Sequence, residues 1–138
     1  MSLGPGPIPL AAALACAAAL TGCTARPAPL HAHVQDYELA LTTRPSPLEV
    51  GRNAQLTLRL TRAGRPQTGC TMRMRQRMDG MGMDSDERWT GLESAGGGEY
   101  RGASAGFGMG GDWLLEFSWS CGGSGAGATL PVHIAWPS

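Results

Sequence analysis

Six of the seven methionines fall in two short stretches: Met72, Met74, Met78, Met81 and Met83 in one, and Met109 in the other. Methionine is ordinarily buried core filler. Here Met78, Met81, Met83 and Met109 are flanked by Gly80, Gly82, Gly108, Gly110 and Gly111, with Asp79 and Asp84 alongside, a composition that belongs to exposed turns. Thioether sulfur is a soft, neutral donor that suits Cu(I), and it binds without losing a proton. Three or four sulfurs converging from two loops would make a low-coordinate Cu(I) site, which makes Met78, Met81, Met83 and Met109 the candidate metal ligands. The other reading of the same four is a hydrophobic plug over the open end of a sandwich. Met72 and Met74 sit on an alternating pattern, facing inward, and are read as packing alone.

Other candidate chemistry is thinner. His31 and His33 form a His-Ala-His pair in a Pro- and Ala-rich stretch, where nitrogen donors would lack a rigid partner. His133 stands alone on an expected last strand and reads as structural. Asp79, Asp84, Asp86 and Glu87 lack EF-hand spacing and read as solubilising charges. The run Gly102-Ala103-Ser104-Ala105-Gly106 fits G-x-S-x-G, and Gly106, Gly108 and Gly111 fit G-x-G-x-x-G, but both motifs need a helix that this composition does not offer. With no nucleophile and base to pair, the chain is expected not to be an enzyme. Eleven basic residues, all Arg and scattered, balance eleven acidic ones, so nucleic acid is not an expected partner.

The cysteines carry the compartment. Ile8 to Leu20 is apolar and Ala-rich, too short for a membrane-spanning helix and suited to a signal-peptide h-region. It ends in Leu20, Thr21, Gly22 and Cys23, which resembles the lipobox of bacterial lipoproteins; the resemblance implies cleavage after residue 22 and lipidation of Cys23. Thr24, rather than Asp, follows the Cys, which by the same resemblance implies delivery to the outer membrane, facing the periplasm. Cys16 leaves with the signal and Cys23 carries lipid, so Cys70 and Cys121 are expected to pair in an oxidising compartment. Closing a loop of about 50 residues is worth up to about 4 kcal/mol by the chain-entropy relation.

The elements that must position these residues are strands. Residues 1–22 read as signal peptide, 23–34 as a lipidated tether and 35–138 as one folded domain. Within the domain, alternating segments recur between turn signals at Tyr37–Thr42, Ala54–Thr61, Cys70–Arg77, Trp89–Glu93, Glu99–Ala103, Asp112–Ser120 and Thr129–Trp136. Twenty-one Gly and ten Pro oppose helices. Seven short antiparallel strands at this spacing predict an all-β, immunoglobulin-like sandwich. Alternation puts Cys70, Met72, Met74 and Gln76 on one face and Thr71, Arg73, Arg75 and Arg77 on the solvated face. In the same way Trp113, Leu115, Phe117, Trp119 and Cys121 share an apolar face.

Several motifs in order resemble the YtkA-like family, related to FixH-type proteins. They are Pro45, Pro47, Leu48, Val50, Gly51 and Asn53, a strand ending in G-x-P, the Met-rich loop, Gly98 with Tyr100, and Phe107, Met109, Gly111 and Trp113. The resemblance implies an immunoglobulin-type extracytoplasmic domain with a connection to copper handling. Relatives commonly carry a His where this chain has Met83, which favours a sulfur-only Cu(I) site over a Cu(II) site. The expected function is therefore a lipid-anchored domain binding Cu(I) in copper transfer or resistance, with a copper protein or envelope complex as partner. The alternative is a structural or protein-interaction module of the cell envelope that binds no metal.

Overall fold

The computed structural model describes Gly4 and residues 27–80 and 88–138. Among them it contains nine strands and no helix: β1 (Leu30–Val34), β2 (Tyr37–Arg44), β3 (Gln55–Arg62), β4 (Arg65–Pro66), β5 (Thr71–Met78), β6 (Thr90–Gly96), β7 (Glu99–Ala103), β8 (Gly111–Cys121) and β9 (Ser124–Ile134). All pairings between these strands are antiparallel, in the order β1-β2-β3-β7-β6-β5-β8-β9, with β4 beside β3. The path folds into a sandwich because β6 serves both layers. Its first residues, Thr90 to Leu92, pair with β5, and Glu93 to Gly96 pair with β7 across a register shift. The free edges, β1 and β9, lie against each other without pairing, which gives the sandwich a barrel-like profile.

Period-2 alternation builds the core. Tyr37, Leu39 and Leu41 of β2, Leu56, Leu58 and Leu60 of β3, Met72 and Met74 of β5, Leu115, Phe117 and Trp119 of β8, and Leu130, Val132 and Ile134 of β9 are all buried. Met72 and Met74, at 1% and 2% exposure, are core packing as expected. The alternate residues of β5 face outward. There Arg73 and Arg75 both stack on the Trp89 ring, 4.5 and 4.6 Å from its centroid, and Arg75 and Arg77 share Glu116.

All seven expected strands form. Two differences from the expected layout have physical reasons. Leu30–Val34 was expected to be tether but is an edge strand, its five residues paired in register with Tyr37–Leu41 across a tight turn at Gln35, which adopts φ 56°. Its Leu-x-Ala-x-Val alternation is too short to stand out in a Pro- and Ala-rich context, and β2 supplies the pairing that orders it. The last strand begins at Ser124 rather than Thr129, because Gly122 and Gly123 make a two-residue turn with positive φ at both positions. Gly125 and Gly127 then run where a Cβ would meet the carbonyl oxygens of Trp119 and Phe117, at 2.5 and 3.0 Å. These glycines hide a strand that close backbone approach requires.

Cys70 and Cys121 are joined by a disulfide. It staples two neighbouring strands of one layer, at the start of β5 and the end of β8. Met78 lies at the other end of β5, so the staple and Met78 occupy opposite ends of the same pair of strands.

A candidate metal centre at the methionine end

Met78 closes β5 in register with Trp113 of β8. It is half-buried, and its methyl rests on Gly111, where an added Cβ would sit 3.6 Å away. The chain leaving Met78 is tied down immediately, because the Asp79 N–H donates to the Asp112 carbonyl at 3.0 Å. It then turns at Gly80, which takes φ 73°. Met81 and Met83 follow that turn but lie outside the described residues.

Met109 enters from the other side, two residues ahead of β8, with half of its surface exposed. Its backbone is held by the Trp113 indole, whose Nε1–H donates to the Met109 carbonyl at 3.1 Å. Trp113 itself is braced edge-on against buried Phe107 at 5.2 Å between ring centroids. The Trp136 side chain lies over bare Gly110, where an added Cβ would come within 2.6 Å of its Nε1, yet 69% of Trp136 stays exposed. Phe107 is in turn anchored through its carbonyl, which accepts the Gly51 N–H at 2.9 Å.

Of the four expected ligands the fold thus brings Met78 and Met109 to one end, both around Trp113. Of the neighbouring glycines, Gly111 faces the Met78 methyl, Gly110 lies under the Trp136 ring, and Gly108 has open space where a side chain would start. Among the described residues no three His, Cys, Asp or Glu side chains are grouped to hold a metal ion, and the soft donors at this end are the thioethers. Sequence reasoning grouped Trp113 with Met109 in one motif but gave it no role in the site, and missed Trp136. An apolar residue at the entrance of β8 and a Trp just past β9, both beside a Gly-rich loop, are the signals that would have found them.

The remaining candidates have plain placements. His133 is exposed on β9, with Nδ1 3.0 Å from an Asp112 carboxylate oxygen. Ser104, the centre of the G-x-S-x-G match, is buried, and its hydroxyl accepts the Ala54 N–H at 3.3 Å. On the outer face of β5 and β8, burial works to raise the Glu116 carboxyl, but hydrogen bonds from Arg75 and Arg77 and their charges outweigh it and hold the group below its ordinary range. Cys23 and residues 5–22 before it lie outside the described residues.

Among solved structures, the fold is similar to the PmoD soluble domain from Methylocystis sp. ATCC 49242 (Rockwell), with a TM-score of 0.54 at 8% identity, covering 77% of this chain and 97% of that one. At that identity the likeness concerns the fold alone. No curated protein matches the sequence. The family model described as YtkA-like matches residues 31–117, starting inside β1 and ending in β8, which is more than half of the chain. By that match, and with the all-β sandwich that accompanies it, the chain belongs to the YtkA-like family.

Proposed function

We propose that this protein is a non-enzymatic, lipid-anchored domain of the cell envelope that binds Cu(I) through methionine sulfur in copper transfer or resistance. Cys23 carries the lipid and the domain faces the periplasm from the outer membrane. Met78, Met81, Met83 and Met109 hold the ion. The observation that supports the reading is the placement of Met78 and Met109 at one end of the sandwich, Met78 in register with Trp113 and the Met109 carbonyl bonded to the Trp113 indole, with Gly111 against the Met78 methyl. Thioethers remain available in an oxidising compartment, where thiols such as Cys70 and Cys121 are consumed in a disulfide.

The test is a Cu(I) competition titration against a chromogenic chelator, on the detergent-solubilised full chain and on a variant with all four methionines changed to Leu. Leucine keeps the apolar volume and removes the sulfur. One equivalent bound by the parent and none by the variant is the expected result.

A second reading rests on the exposure of Met109 and Trp136, which leaves apolar surface open at this same end. Flexible Met surfaces dock partners through adaptable contact. In that case neither protein binds Cu(I), and the end is a docking face for an envelope partner.

A further inference from the structure

His31 and His33 were unremarkable as part of a tether; as part of β1 they are a different object. They stand two apart on a strand, so both imidazoles leave the same face, with Cα atoms about 6–7 Å apart. That face is the outer one, since Ala32 and Val34 between and after them pack on the core. Both histidines are exposed. The strand is held by five paired positions, with His33 directly opposite Glu38 and His31 opposite Ala40. The small Ala40 leaves room for the Glu38 carboxylate to reach sideways, and its Oε1 lies 3.3 Å from His31 Nδ1.

That last contact suits metal binding. A ligating imidazole commonly gives its second ring nitrogen to a carboxylate, which orients the ring and strengthens the nitrogen that faces the ion. Here Glu38 occupies Nδ1 of His31 and leaves Nε2 for a ligand. On β3, Arg59 is opposite Ala40 and pairs with Glu99 at 3.6 Å. We propose that His31 and His33 form a two-imidazole chelate for a borderline divalent cation, completed by water, with Glu38 as the positioning residue. Imidazole nitrogen selects Cu(II), Ni(II) or Zn(II) rather than Cu(I) held by thioether. The site therefore shares neither atoms nor oxidation state with the methionine end, and it stands or falls independently of the reading above.

The experiment uses Cu(II) as the probe on the full chain in detergent, followed by electron paramagnetic resonance and by NMR of the histidine ring protons. One equivalent should give imidazole-nitrogen coupling and selectively broaden His31 and His33. A variant carrying His31→Asn and His33→Asn, with an unchanged thermal melt, should bind at least tenfold more weakly. The variant with the four methionines changed to Leu should bind Cu(II) as the parent does. Broadening centred on His133 or the N-terminus overturns the proposal, as does parental affinity in the double variant or loss of Cu(II) binding in the methionine variant. The NMR readout on the parent decides the matter even if the double variant does not fold.

Discussion

The Trp113 indole donates its N–H to the carbonyl oxygen of Met109 at 3.1 Å, so this half-exposed methionine is held through its backbone by a residue inside β8. The ring that donates is also the cross-strand neighbour of Met78. One side chain thus links the backbone of Met109 to the strand position of Met78, 31 residues earlier in the chain.

Replacing that donor should separate site geometry from fold stability. Trp113→Phe keeps an aromatic ring against Phe107 and deletes the hydrogen bond, an exchange worth about 0.5–1.5 kcal/mol. Cu(I) affinity should fall roughly threefold to tenfold while the thermal midpoint moves by only a few degrees. The chelator titration and a melting curve on the same preparation check this; undiminished affinity would mean that the Met109 backbone needs no anchor.

Tyr100 anchors the opposite end. Its hydroxyl is buried, accepts the Cys70 N–H at 3.0 Å and donates to the Gln67 carbonyl at 2.8 Å. Tyr100→Phe would strand both backbone groups away from water, so a loss of about 1–3 kcal/mol is expected from urea denaturation, with Cu(I) affinity unchanged. A variant as stable as the parent would show that water replaces the hydroxyl.

The Cys70–Cys121 bridge should appear as a linked peptide in a non-reducing digest, and changing both cysteines to Ala should cost about 2–5 kcal/mol. Because the bridge lies at the end of β5 and β8 remote from Met78, the variant should still bind Cu(I) below its lowered melting temperature.

Acid should weaken the outer face of β5 and β8. The Glu116 carboxyl is held below its ordinary range by Arg75 and Arg77, so it binds protons less readily folded than unfolded. The stability it contributes is complete above the unfolded glutamate value of about 4.3, and is lost as pH falls from there through the lower folded value. Glu116→Gln should flatten that part of the pH profile of the urea midpoint and leave neutral-pH Cu(I) binding intact. An identical acid limb in both proteins would assign the loss to other carboxylates.

What the amino-acid order determined by itself was the strands and their faces. Hydrophobic side chains at every second position leave one face of each segment apolar, which is why Met72 and Met74 could be assigned to the core and Arg73, Arg75 and Arg77 to solvent before any strand had a partner. The count of cysteines likewise left Cys70 to meet Cys121. Tertiary structure decided everything that depends on which strand lies beside which. Leu30–Val34 orders because β2 pairs with it, and this turned His31 and His33 from solvated tether into a fixed pair beside Glu38. Gly125 and Gly127 extend β9 because the β8 backbone approaches too closely for any side chain. Pairing of β5 with β8 set Met78 beside Trp113, and through it Met109, a meeting of distant residues that no local pattern encodes.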